Sequence, residues 1–224
     1  MQVMSCRRGA PLMEAPNSAE LSDRSPGRGA RLPRSGAATA RRRGRGFTLV
    51  ELMITMAVAL VLIMIAVPSF KTMTLSNKLT TTANDLVGAI NVARMEAIKT
   101  NSNTQLCSDS SASNTTGTSD TLGNACNAST QVGAVYALIG GTTPTAQLVR
   151  APVVGIVTPL QLSGSITALR YNGQGLAEAV GTTTPYTGLV ADIYTSSIST
   201  DNHRCIRMTA GSIIVTSTST GTCP

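Results

Sequence analysis

One carboxylate, Glu51, stands inside an otherwise apolar stretch of 24 residues running from Phe47 to Phe70, and it is the first candidate for chemistry. An ionisable group at the centre of a membrane helix costs about 2.5–3.5 kcal/mol on insertion scales, so its presence points to a function. Glu51 lies four residues after Phe47, roughly one helical turn. Gly46 immediately precedes Phe47. Scission between Gly46 and Phe47 would bare an amine close to the depth of the carboxylate. The two groups would pair within one chain or, between staggered neighbouring helices, set their register, and register is the better attested use of a buried ion pair. The competing reading is a carboxylate at the cytoplasmic edge of an ordinary signal anchor. These residues alone leave both readings open.

Cysteine supplies the second candidate chemistry. Of five cysteines, Cys6 falls in the basic first segment, leaving Cys107, Cys126, Cys205 and Cys223 in the body. An even set beyond a membrane-targeting segment predicts disulfides in an oxidising compartment. Of the three connectivities, Cys107–Cys126 with Cys205–Cys223 is favoured, because each pair closes a local loop. Zinc finds no CxxC and no histidine cluster in its favour, since His203 is the only histidine. Nucleophilic catalysis needs a positioned histidine, and His203, between Asn202 and Arg204, reads as an exposed loop residue. The remaining acids are scattered, and Gly173-Gln174-Gly175 lacks the following helix of a phosphate loop. No catalytic residue, metal or cofactor is implied.

Four zones must position these groups. Residues 1–46 are rich in Arg, Gly, Pro, Ser and Ala and hold ten of the 18 basic residues, a composition expected to be disordered. From Phe47 the apolar run would form a helix about 36 Å long, enough to cross a hydrocarbon core of about 30 Å. It is too long for the apolar core of a cleaved secretory signal. Residues 47–75 are therefore assigned to the membrane half of a helix. From Lys71 to Thr100, Leu79, Ala83, Leu86, Ile90, Ala93 and Ala97 recur at helical spacing, so the same helix is expected to continue with one apolar stripe. Pro68 inside it would kink the helix without ending it.

From Asn101 onward the period changes to short Val-, Ile-, Thr- and Tyr-rich runs between Gly, Pro, Asn and Ser. Strands are expected near 104–107, 132–139, 147–150, 166–171, 189–195, 204–208 and 212–217, the last two joined through Ala210-Gly211 as a hairpin. Residues 108–120 read as a polar loop. The fold class is α+β: a long helix packed on an antiparallel sheet, with residues 76–224 forming a head.

Charge orients the chain. The formal net charge of +7 belongs to residues 1–46, and the remaining chain balances eight basic against eight acidic residues. Arg41, Arg42, Arg43 and Arg45 abut the start of the apolar run, whereas Lys71 and Lys78 lie beyond its far end. The positive-inside rule puts the amino end in the cytoplasm and the head outside, in agreement with the cysteines.

The string Gly46-Phe47-Thr48-Leu49-Val50-Glu51-Leu52-Met53, followed by an apolar run ending at Pro68, resembles the signal of type IV pilins and type II secretion pseudopilins. The stretch from Asn91 to Asn101 leading into Leu106-Cys107, and the closing Cys205-Ile206-Arg207-Met208 hairpin ending at Cys223, resemble the GspH/FimT family of minor pilins. The leader is longer than is usual in that family, and Gln131-Val132-Gly133 stands where a tryptophan is common. The resemblance implies cleavage by prepilin peptidase between Gly46 and Phe47, with N-methylation at Phe47. It implies that Glu51 neutralises a neighbouring subunit's amine during assembly and that Pro68 is the helix-kinking proline. Implied partners are other major and minor pilins or pseudopilins and an inner-membrane assembly platform. The implied location is a bacterial inner membrane with a periplasmic head, entering a pilus or pseudopilus.

Some FimT-like pilins take up DNA through a basic hairpin near the carboxyl end. The matching turn, Gly211-Ser212-Ile213-Ile214, carries no arginine, and the nearby Arg204 and Arg207 offer few phosphate contacts. With no Trp and only four Tyr and two Phe in the chain, stacking surfaces for bases are scarce. Nucleic acid is not an expected partner.

Overall fold

In the computed structural model of the chain, residues 46–128 and 132–224 are described. Residues 1–45, with Cys6 and the arginine cluster, lie outside them. Phe47–Pro224 forms one unit. Its spine is α1, Leu49–Thr100, a single helix of 52 residues that contains Pro68. The helix continues because the ring costs it one hydrogen bond, that to the Met64 carbonyl, while the flanking turns are unaffected. Thr72 and Thr74 donate their hydroxyls back to Pro68 O and Phe70 O, at 3.1 and 2.9 Å. At its carboxyl end Asn101 adopts the left-handed conformation (φ 47°) and its N–H caps the carbonyls of Ala97 and Ile98.

The expected stripe is the buried one: Leu79, Ala83, Leu86, Ile90, Ala93 and Ala97 all face the core, joined by Thr82 and Ala89. The large members each contribute about 1.5–3 kcal/mol by leaving water. The alanines have a different role, letting a strand approach the helix backbone. Thr104 on β1 (Thr104–Leu106) donates its hydroxyl to the Ala93 carbonyl at 2.8 Å.

Two antiparallel sheets, rather than the one expected, pack on α1. Besides β1, the first holds β2 (Val135–Ile139), β3 (Thr145–Arg150), β5 (Leu169–Tyr171) and β6 (Ala177–Ala179), in the order β3-β2-β1-β5-β6. The second holds β4 (Gln161–Leu162), β7 (Gly188–Tyr194), β8 (His203–Thr209) and β9 (Ile213–Ser219), in the order β4-β7-β8-β9. The β8–β9 hairpin turns at Ala210 and Gly211, both at positive φ (49° and 67°), the geometry that matches the twist of a tight hairpin. The segment read as a polar loop contains instead α2 (Ser111–Asn114), and α3 (Thr121–Asn127) follows it. Asp120 caps α3 by accepting from Gly123 N at 3.2 Å.

Three arginines tie the head to α1. Arg94 on α1 donates to Ser212 O at 3.2 Å, Arg150 on β3 pairs with Asp85, and Arg204 on β8 reaches Thr80 Oγ1 at 3.2 Å and Ser76 Oγ at 2.9 Å. Disulfides Cys107–Cys126 and Cys205–Cys223 staple α3 to the end of β1 and the chain terminus to β8.

Candidate functional site

The residues from Gly46 to Glu51 form a short extended approach to a helix. Gly46, Phe47 and Thr48 are outside the helix and exposed, and α1 begins at Leu49. Thr48 is the N-cap: its backbone is extended (φ −75°, ψ 148°) and its Oγ1 accepts from Glu51 N at 3.2 Å. Leu52 N closes the first turn on Thr48 O at 3.1 Å. The Gly46–Phe47 peptide bond therefore lies in open chain two residues ahead of the helix, reachable from solvent without unwinding any turn. Phe47 itself is 78% exposed.

No described residue crowds position 46. Among the described residues, a Cβ built there meets no atom within 4 Å. A requirement for glycine at this position would come from something outside the chain that must approach it closely.

Glu51 occupies the first turn of α1, where the unpaired N–H groups and the helix dipole favour a negative charge. It is the N3 residue of a Thr-x-x-Glu capping arrangement. Thr48 is the capping partner that the reading of Glu51 as an isolated acid passed over. Its signal was in the sequence: a Thr three residues before a Glu at the head of an apolar run.

Other residues weighed for chemistry fall elsewhere. His203 is not an exposed loop residue. It begins β8, only 5% exposed, with Nδ1 against the Asp192 carboxylate at 2.8 Å and its ring stacked on Tyr194 at 5.1 Å. The reason is pairing between β7 and β8, which sets His203 opposite Tyr194 and brings Asp192 beside it. Asp192 also lies near the sulfurs of Cys205 and Cys223, but those are joined as a disulfide, so neither is a thiolate free to ligate a metal. Arg204, counted as a basic residue near the hairpin, is buried and committed to Ser76, Thr80, Asp201 O and His203 O. Arg207 remains exposed.

A helix long and apolar enough to cross a membrane, an acid in its first turn behind an exposed Gly-Phe bond, and a disulfide-stapled α+β head together describe a membrane-anchored pilin-like subunit. Comparison with family models agrees: residues 82–213 match the family described as type II transport protein GspH, and residues 41–67 match the prokaryotic N-terminal methylation motif. The chain belongs to the GspH family of type IV pilin-like proteins. The first match runs from Thr82 within α1 to Ile213 at the start of β9, including the central strands, and the second contains Gly46, Phe47 and Glu51. Neither a curated protein nor a solved structure shows significant similarity to the chain.

Proposed function

We propose that the protein is a minor pilin, a structural subunit for type IV pilus assembly. Its 1–46 leader is removed by prepilin peptidase between Gly46 and Phe47, and the new amine at Phe47 is methylated. The observation that carries the reading is the exposed, non-helical Gly46–Phe47 bond directly ahead of the capped helix, within the matched methylation motif. The arginines at 41–45 keep the amino end on the cytoplasmic side of the inner membrane, with the head, residues 76–224, in the periplasm and residues 47–75 in the bilayer. Glu51 meets the amine of a neighbouring subunit and sets helix register as the chain leaves the membrane for the filament, with Pro68 kinking the helix. The assembly platform and other pilins are its partners, and its role is structural rather than enzymatic.

A second reading has its own support. The family matched over the head carries the description type II transport protein, which favours a minor pseudopilin serving protein export. Both readings share the processing step. Replacing Gly46 by Val should leave the full-length, unmethylated precursor on a gel and in amino-terminal mass spectrometry. A mature-sized chain beginning at Phe47 in that variant would overturn the peptidase assignment. Deleting the gene and scoring surface pili against exported protein separates the two readings.

A further inference from the structure

A charge-free loop lies against α1 just above the membrane span. Between Arg150 and Arg170 the chain has no ionisable side chain. The first part of this stretch is held firmly. Val153 and Leu160 are buried in the core, and Gly155 is pressed so closely on α1 that a Cβ there would stand 2.5 Å from Thr82 Oγ1. The turn between them is closed by Leu160 N to Val157 O at 2.9 Å. These fixed points leave Val154 84% and Val157 65% exposed, at positions where the loop has no freedom to withdraw them.

The place of this loop along α1 is informative. A groove of about 600 Å³ separates it from the helix, walled by Val157, Thr158 and Pro159 on one side and by Phe70, Met73 and Lys78 on the other. With Phe47 at one edge of a hydrocarbon core of about 30 Å, the opposite edge falls near Val67, at about 1.5 Å per residue. Phe70 and Met73 then stand about 5 and 9 Å beyond it, in the headgroup layer or at its rim. The groove is thus continuous with the lipid-facing surface of the span, and the exposed Lys71, beside Phe70 and Met73 and about 6 Å beyond the edge, supplies a cation at the height of the headgroups.

We infer that the loop around Val157 rests on the membrane surface, its exposed valines and the Phe70–Met73 side of the groove engaging phospholipid while Lys71 faces the phosphate. The chemistry is that of an interfacial apolar patch flanked by a cation. The contact would fix the tilt and rotation of the head over the bilayer before it enters a filament. The inference rests on the membrane-anchored reading of α1 and not on which way the chain is oriented.

The chain's lack of tryptophan gives a direct test. Three single-Trp variants of the full chain are reconstituted in vesicles of phosphatidylethanolamine and phosphatidylglycerol, with and without lipids brominated near the top of the acyl chains. Val157→Trp should emit to the blue of a solvent-exposed indole and lose intensity with the brominated lipid. Ile213→Trp, at a position 58% exposed but on β9 beside the Arg94–Ser212 contact, should do neither. Met64→Trp, in the middle of the span, should be quenched and so reports on the anchor itself. If Met64→Trp is quenched and Val157→Trp behaves like Ile213→Trp, the loop contact is wrong and the anchor stands. If none is quenched, both fall. Protection of Val157→Trp only after filaments form would assign the patch to a neighbouring subunit and also overturn the inference.

Discussion

Arg170 and Asp120, 50 residues apart in sequence, meet face to face, with Arg170 Nη2 at 2.9 Å from both carboxylate oxygens. The same guanidinium also bonds the buried side-chain carbonyl of Gln105. One arginine thereby links β5, β1 and the N-cap of α3. Burial works against ionisation of Asp120, but the donors Arg170, Gly123 N and Thr116 N outweigh it and hold its carboxyl below the usual carboxylate range.

A pH dependence follows with a defined sign. A carboxyl whose folded pKa is depressed stabilises the fold above its unfolded pKa of about 3.9. That stabilisation is lost as pH falls from there through the folded value. Thermal melts of the full chain in detergent should drop on this acid side, and Asp120→Asn should melt lower at neutral pH with a shallower acid limb. Parallel curves for the two proteins would remove Asp120 from the account.

Glu51 has two candidate roles that a single substitution separates. Gln at N3 retains the capping arrangement with Thr48 but not the charge. Glu51→Gln should be processed normally and keep its helix, yet be lost from sheared filaments in an incorporation assay. Incorporation equal to wild type would leave Glu51 as a helix-capping residue and no more.

Arg204 fastens β8 to α1 through Ser76 and Thr80. Its guanidinium geometry is not reproduced by an ammonium group. Arg204→Ala should cost about 2–4 kcal/mol in chemical denaturation, since the hydroxyls and carbonyls it satisfies lose a charged donor. Arg204→Lys should recover only part of this. A neutral Arg204→Ala would show that water replaces the donor without cost.

The two disulfides close loops with separations of 19 and 18 residues. Chain-entropy reasoning assigns each about 3 kcal/mol. Replacing Cys107 and Cys126 together by Ser should lower stability by that order, and non-reducing peptide mapping of the wild type should recover each pair as one linked species. Alkylation of Cys107 and Cys126 as free thiols would contradict the pairing.

Local patterning made the helix stripe legible from Leu79 to Ala97, and turn chemistry did the same for the Ala210-Gly211 hairpin. What escaped was set by partners remote in sequence. The edge strands β4 and β6, one in each sheet, went unread because they are only two and three residues long and have no period of their own. The helices α2 and α3 sit in Ser-, Thr- and Asn-rich sequence of poor helix propensity. They are held by the Asp120 cap, the Cys107–Cys126 bond and the buried Asn114, which bonds Ser108 N and O. His203 looked solvent-bound beside two polar residues, and only the pairing with β7 reveals why it is inside. At the candidate site, Gly46, Phe47 and Glu51 stood out by type and spacing, while Thr48 went unnoticed because its contribution is a backbone cap.

The arginine ties to α1 are spread along its outer half, from Ser76 and Thr80 through Asp85 to Arg94. A stretch of that extent measures about 27 Å on a helix. Traction applied along the rod therefore meets the fasteners side by side, as shear shared among rungs, rather than one after another as in a peeled zipper. A head gripped in this manner is suited to bearing tension transmitted through its stalk.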